Sequence, residues 1–185
     1  MGSIALWWIG AAGADPALLS GVRGHLAEEY GLPAVDHESA ERPRGVFDAR
    51  RGQHSSTKIL EWLVERVPAG AVRVLAVTDA DLFIPILTFV FGEAQLRGAA
   101  AVVSTARLGD PGPFAPDPRR LQSRLSKECV HELGHTFGLT HCRTPRCVMG
   151  RSASLVDVDE KSPHLCEACH SRYRSLTVHN GARDE

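Results

Sequence analysis

Apolar residues along this chain fall into discrete blocks, and most blocks carry recognisable start and stop signals. Residues 4–9, Ile-Ala-Leu-Trp-Trp-Ile, are apolar without a break and predict a buried first strand. Asp15-Pro16 then opens a helix that reaches about residue 30, because the aspartate can cap free amides and proline is tolerated at the first helical position; Gly31 ends it. Residues 37–53 are polar, with Arg42-Pro43-Arg44-Gly45 and Arg50-Arg51-Gly52, and predict a loop whose charges are solvated. Ser55 or Ser56 caps a second helix carrying Ile59, Leu60, Leu63, Val64 and Val67 at core spacing, stopped by Pro68. Residues 72–77 and 99–106 are β-branched and apolar enough for buried strands, with Thr78-Asp79 forming a turn after the first and a Gly/Pro-rich loop over 107–116 after the second. Asp117-Pro118 starts a long helix to about residue 137, and Leu121, Leu125, Cys129, Leu133 and Phe137 make a four-residue row along it that predicts its core face. Beyond Gly138 no regular element is expected until Ser162-Pro163, which reads as the cap and first proline of a last helix.

Length and charge narrow the field. With 185 residues the chain can bury one substantial core, and a single domain is expected. A formal charge of -1 gives no electrostatic case for nucleic acid or for an anionic membrane surface. No apolar run approaches the roughly twenty residues that span a bilayer, and the apolar opening lacks the preceding Lys or Arg of a secretory signal. A cytoplasmic monomer is the expectation.

The chemistry lies in His131-Glu132-Leu133-Gly134-His135-Thr136-Phe137-Gly138-Leu139-Thr140-His141. Residues four apart on a helix sit about 6 Å along the axis and about 40° round it, so His131 and His135 can grip one ion from the same face. Gly138 lets the chain swing back to bring His141 to the same point. Three neutral imidazoles suit a catalytic zinc, which keeps a fourth position for water and lowers that water's pKa to about 7. Glu132 is then free to serve as general base and acid.

Four of the five cysteines form a second pattern, Cys142-x4-Cys147-x18-Cys166-x2-Cys169. Paired cysteines separated by a loop predict a closed structural zinc site, and a reducing compartment argues against two disulfides. Two zinc ions per chain are therefore expected. Cys129 is left over and reads as a small buried apolar residue. His164 and His170 adjoin the cysteines and read as surface residues, since four thiolates already fill a tetrahedron. His141 and Cys142 are neighbours, so one short segment holds ligands of both sites and the two should be coupled. Asp79 and Asp81 read as turn formers rather than calcium ligands.

Residues 131–169, together with Thr78-Asp79-Ala80-Asp81-Leu82-Phe83 and Phe89-Val90-Phe91-Gly92-Glu93-Ala94, resemble the archaemetzincins, or archaelysins. The matching positions are His131, Glu132, His135, Gly138, His141, Cys142, Cys147, Met149, Cys166 and Cys169, and Asp159 and Lys161 also fit. The resemblance implies an α/β (α+β), metzincin-like single domain over residues 1–185. It would have a mixed sheet and the active-site helix in an N-terminal lobe, 1–138, and a small C-terminal lobe, 139–185, held by the four-cysteine zinc. It further implies zinc-dependent hydrolysis of peptide substrates, relatives described as aminopeptidases, Met149 as the methionine of the turn beneath the catalytic metal, and a cleft bordered by the strand at 99–106. Members of that family often follow the methionine with Phe-Ser-Asn, where this chain has Gly150-Arg151-Ser152-Ala153-Ser154. Two other functions compete with this one. Metal-dependent RNA phosphodiester hydrolysis uses three histidines at this spacing but with glycine in place of Glu132, and a catalytically silent zinc-stabilised peptide-binding module would need neither Glu132 nor all three histidines.

Overall fold

The computed structural model describes residues 2–37, 41–110 and 117–181. Of the polar stretch 37–53 and the loop 107–116, residues 38–40 and 111–116 lie outside the described residues. The chain runs β1 (Ser3–Trp8), α1 (Pro16–Tyr30), β2 (Ala34–His37), β3 (Phe47–Asp48), β4 (Gln53–Ser55), α2 (Ser56–Val64), β5 (Ala71–Thr78), β6 (Leu82–Phe83), β7 (Gly92–Ala94), β8 (Ala100–Ser104), α3 (Pro118–Thr136), α4 (Leu155–Glu160) and α5 (Glu167–Gly181). Five strands form a mixed sheet in the order β2-β1-β5-β8-β7, parallel except for β7, which runs antiparallel to β8. β3, β4 and β6 form a second, small sheet.

Alternation along the three inner strands divides the core in two. Ile4 and Leu6, Leu75 and Val77, and Ala101 and Val103 face α1 and α3, while Ala5 and Trp7, Val74 and Ala76, and Ala100 and Val102 face α2. Strands covered on both faces have no use for polar positions, which is why β1, β5 and β8 read as continuous apolar runs. The helix starts follow their signals: Asp15 accepts from the amides of Ala17 and Leu18, Ser55 from Lys58, and Asp117 from Arg119, with Pro16 and Pro118 in the first turn. Gly31, at φ 63°, closes α1. The row from Leu121 to Phe137 packs into the α1/α3 core, and Cys129 is fully buried there with its thiol pKa pushed up by burial.

Several expectations need correction. α2 stops at Val64, so Val64 lies 40% exposed rather than in the core. Within the polar stretch, β3 and β4 form a hairpin whose turn is held by Asp48 accepting from the amides of Arg50 and Arg51. The segment after Gly138 contains α4, announced only by a capping box in which Ser154 and Asp157 each accept from the other's backbone amide. α5 begins at Glu167, not at Pro163, because the amide of Leu165 is bonded to Glu29 and that of Cys166 to the Cys147 sulfur, while the carbonyl of His164 accepts from Val148. Finally, residues 100–104 lie inside the sheet between β5 and β7, so the edge strand is β7 and not the strand expected at 99–106. Asp79 and Asp81 are both engaged by the protein: Asp79 accepts from the amides of Ala11 and Ala12, and Asp81 pairs with Arg107 at 2.6 Å.

One ion-pair network ties α3 to α4. Arg124, almost fully buried, donates through Nε and a terminal nitrogen to both oxygens of Asp159 at 2.7 Å, and its other terminal nitrogen reaches Asp110 and the carbonyl of Leu108. The Arg124 bond holds the Asp159 carboxyl below its ordinary value near 3.8. A depressed folded-state pKa stabilises the fold above the unfolded value and loses that contribution as pH falls through the folded one. Because the Asp159 side chain is 39% exposed and solvent screens the pair, Asp159→Asn should cost about 0.5–1.5 kcal/mol at neutral pH, with the gap to wild type closing in strong acid. Denaturant melts at several pH values check this, and a gap that widens on acidification would contradict it.

Candidate metal and active site

α3 carries the site. From Arg124 to Thr136 it is buried on nearly every face, including the polar side chains of Lys127, Glu128, His131 and Glu132. Charged groups tolerate such burial only when paired or coordinated. Lys127 donates to the carbonyls of Val158 and Asp159, and Lys161 pairs with Glu128 at 3.1 Å, both side chains at most 5% exposed.

The histidines converge. His131 donates from Nδ1 to the carbonyl of Val148 at 2.9 Å, and His135 from Nδ1 to that of Leu139 at 2.7 Å. A carbonyl only accepts, so both rings carry their hydrogen on Nδ1 and present a bare Nε2. Those two Nε2 atoms stand 3.1 Å apart. Two lone pairs facing each other at that distance repel unless they share a cation, and ligands about 2.0–2.1 Å from a tetrahedral zinc lie about 3.3 Å from one another. His141 completes the set: the candidate ligand atoms of the three residues all lie within 4.8 Å of each other, and the ring centroids are 4.7, 5.0 and 5.3 Å apart.

The turn after α3 makes this convergence possible. Gly138 sits at φ 97°, a conformation that a side chain would strain. The reversal returns the amide of Leu139 to the carbonyl of Gly134 and places its own carbonyl over His135. Two residues later the chain delivers His141, and the amide of Cys142 donates to the carbonyl of Met149 at 2.9 Å. Met149 is fully buried within the core cluster that also holds Val130 and Leu133 of α3.

Burial, and next the nearby charge of Lys161, hold the His131 pKa well down, and burial first of all lowers those of His135 and His141. The imidazoles thus stay neutral, as ligands must be. Glu132, 7% exposed, has its pKa pushed up by burial and then by Glu128. Its side chain lies directly against the backbone of β7: a methyl group at Gly92 would stand 2.6 Å from Cγ of Glu132 and 2.7 Å from the carbonyl oxygen of Val102.

A cleft of about 370 Å³ opens beside these groups, walled on one side by residues 87–92 and on the other by Glu128, His131, Glu132, His141 and residues 151–153. Sequence reasoning missed the wall and Glu128. Glu128 was within reach, since it stands four residues before Glu132 and hence on the same helix face; Arg151 and Ser152 were noticed only as a departure from a family pattern. Ser152 and Lys161 both donate to Oε1 of Glu128. Neither tyrosine faces the histidines: Tyr30 donates to the carbonyl of Val130 and Tyr173 to that of Tyr30.

The four cysteines meet behind the turn. Sγ of Cys142 is 3.8 Å from that of Cys166, and Sγ of Cys147 is 3.8 Å from that of Cys169. A disulfide would be about 2.05 Å, whereas the edge of a tetrahedron with 2.3 Å zinc–sulfur arms is about 3.8 Å. All four are free thiols grouped as a candidate metal site. Burial opposes ionisation of Cys166, yet hydrogen bonds from the Cys169 amide, Thr144 and Cys147 bring its thiol down to about 6, as suits a ligand at a helix N-terminus.

A three-imidazole point beside a buried carboxylate, facing a sheet edge across a cleft and backed by four converging thiols, defines the class of zinc metallopeptidases. Within that class the chain belongs to peptidase family M54, whose model matches residues 28–175. The archaemetzincin of Methanopyrus kandleri is 43% identical over 145 residues, covering 78% of this chain and 79% of that protein. A crystal structure of the M. kandleri archaemetzincin superposes with a TM-score of 0.83 at 35% identity, over 96% of each chain. A zinc-dependent peptidase from Methanocorpusculum labreanum gives 0.82 at 29% identity, over 92% of this chain and 100% of that one.

The contact at Gly92 can be tested directly. Gly92→Ala should push Glu132 or β7 aside, costing about 1–3 kcal/mol of stability and lowering turnover while metal content stays at the wild-type level. Elemental analysis with denaturant melts and a peptide assay measures all three; unchanged stability and turnover would mean that the contact has slack.

Proposed function

We infer that the chain hydrolyses peptides with Glu132 as the proton carrier, removes residues from the amino terminus, and holds two zinc ions, one at His131, His135 and His141 and one at the four cysteines. The single observation that carries the reading is the pair of bare Nε2 atoms 3.1 Å apart, with Glu132 lining the same cleft as His131 and His141. Bound there, zinc would polarise the scissile carbonyl and acidify water.

The protein's own groups do the rest. Glu132, buried against Gly92 at the cleft, takes a proton from the attacking water and returns it to the departing amine. The carbonyls of Val148 and Leu139 hold the imidazoles in one tautomer throughout. The wall at residues 87–92, continuous with edge strand β7, offers main chain along which an extended substrate can lie, a mode that gives affinity with little side-chain preference. Because Ser152 and Lys161 both bond Oε1 of Glu128, its Oε2 keeps lone pairs for the α-ammonium group of a substrate, which supports an amino-terminal cut.

The remaining features of the proposal follow from the same residues. The sulfur site stabilises residues 139–185 as a small C-terminal lobe on the 1–138 lobe. No helix among the described residues is long and apolar enough to cross a membrane, and with five free thiols a reducing, cytoplasmic setting fits best. A monomer that needs no nucleic acid is the working form, and Glu132, which the RNA-hydrolase and silent-module readings leave idle, is what favours the peptidase over both.

Glu132→Ala should keep its zinc and lose about 10²–10⁴-fold in kcat/KM, and the wild type should cleave peptides with a free amino terminus in preference to the same peptides acetylated there. Turnover retained in the variant removes Glu132 as the base; equal rates on free and blocked peptides remove the amino-terminal preference. The sulfur site is expected to brace the histidine site through the Cys142–Met149 hydrogen bond. Cys147→Ser should therefore weaken binding of the catalytic metal about 10–100-fold, the usual range for an outer partner, as read by competition with a chelator; unchanged affinity in a folded variant would separate the two sites.

A further inference from the structure

A third group of metal-ligating side chains lies apart from both sites. His25 and Glu29 stand four residues apart on α1, on one helix face, and His164 approaches them from the segment before α5. Their candidate ligand atoms all lie within 4.8 Å of one another. The ring centroids of His25 and His164 are 5.3 Å apart, equal to the widest separation in the three-histidine set.

The orientation of the groups points the same way. His25 donates from Nε2 to the carbonyl of Pro163 at 2.8 Å, which leaves Nδ1 bare and fixes the ring by a backbone acceptor, as in His131 and His135. Glu29 is only 4% exposed, an unusual place for a carboxylate, and it is held by the amide of Leu165 at 2.7 Å on Oε1. Its Oε2 is 2.9 Å from Nδ1 of His164. Nε2 of His170 stands 3.5 Å from Oε1, so a fourth imidazole is at hand. The side chains of His164 and His170 are 52% and 42% exposed, leaving room for water to fill the remaining coordination positions.

We propose that His25, Glu29 and His164 form a third divalent-cation site, with His170 as an auxiliary ligand, at which an ion such as zinc staples α1 to the segment carrying Cys166. Two or three imidazoles with one carboxylate suit zinc, cobalt, nickel and copper, and not calcium or magnesium, which prefer all-oxygen sets. Its exposure makes it the weakest of the three, filled last. An ion here would join the N-terminal half of the chain to the cysteine cluster, since His164 lies two residues before Cys166 and His170 follows Cys169 directly. The competing reading is a plain hydrogen bond between Glu29 and His164, which accounts for those two residues but not for the approach of His25, whose ring centroid stands 5.3 Å from that of His164.

The full chain, equilibrated with increasing free zinc and analysed for bound metal, should take up one equivalent beyond those of the histidine and cysteine sites, with a rise in Tm accompanying it. His25→Ala and His164→Ala should each lose that last equivalent and the Tm rise, while His37→Ala, a histidine outside the group, keeps both. His135→Ala should lose a different, tighter equivalent and retain the last one, so that failure of the catalytic-site reading is told apart from failure of this one. A wild type that saturates at the same zinc content as His25→Ala, or a last equivalent that survives in either His25→Ala or His164→Ala, would overturn the proposal.

Discussion

Two hydrogen bonds from imidazole to main chain organise this molecule's chemistry. The carbonyls of Val148 and Leu139 each take the Nδ1 hydrogen of a histidine on α3, and so force two bare Nε2 atoms to face one another at 3.1 Å. Neither carbonyl is local to the helix proper. Leu139 arrives through the reversal at Gly138, and Val148 belongs to the loop that the cysteines gather. The geometry of the helix face thus depends on the two segments that follow it, and a helix with the same histidines but a different exit would leave both rings free to turn.

Keeping such a helix inside the protein requires that its charges be neutralised in place. Lys161 with Glu128, and Arg124 with Asp159 and Asp110, place basic or acidic partners from α4 and the adjoining loops onto α3. Breaking either pair would leave a desolvated charge, a far larger cost than the net gain from forming it. The short α4 therefore positions one end of the cleft: it supplies Asp159, and the residue after it is Lys161, whose ammonium lies 3.4 Å from Nδ1 of His131. That positive charge opposes protonation of the ring and so favours the neutral imidazole that a metal requires.

What could be read along the chain was whatever depends on neighbours in sequence. The caps at Asp15, Ser55 and Asp117, the apolar strands β1, β5 and β8, the row from Leu121 to Phe137 and the histidine and cysteine spacings are all local or periodic, and the structure brings each group together. The features that escaped are set by distant partners. β7 is three residues long and exists because β8 offers an open edge, so the cleft wall fell to the wrong strand. α5 starts late because Glu29, over a hundred residues earlier, takes the amide of Leu165. α4 left a trace, the Ser154–Asp157 box, but six residues carry too little periodicity to stand out.

The adjacency of His141 and Cys142 has a thermodynamic meaning that neither motif has alone. A segment of some forty residues with few regular elements cannot bury enough apolar surface to order itself, and here its apolar side chains, Leu139, Val148, Met149, Val158 and Leu165, all join the core beneath α3 rather than forming one of their own. In the proposed two-zinc form the four sulfurs would supply the constraint that holds the segment's internal shape, with Cys142 and Cys147 bracketing the turn between His141 and Met149. Since the third imidazole is fixed only as well as the residue beside it, the position of His141 would then inherit its precision from the thiol cluster. A conformational cost that would otherwise fall on the histidine site would be met at the cysteine site, where metal binding free energies are large enough to cover it.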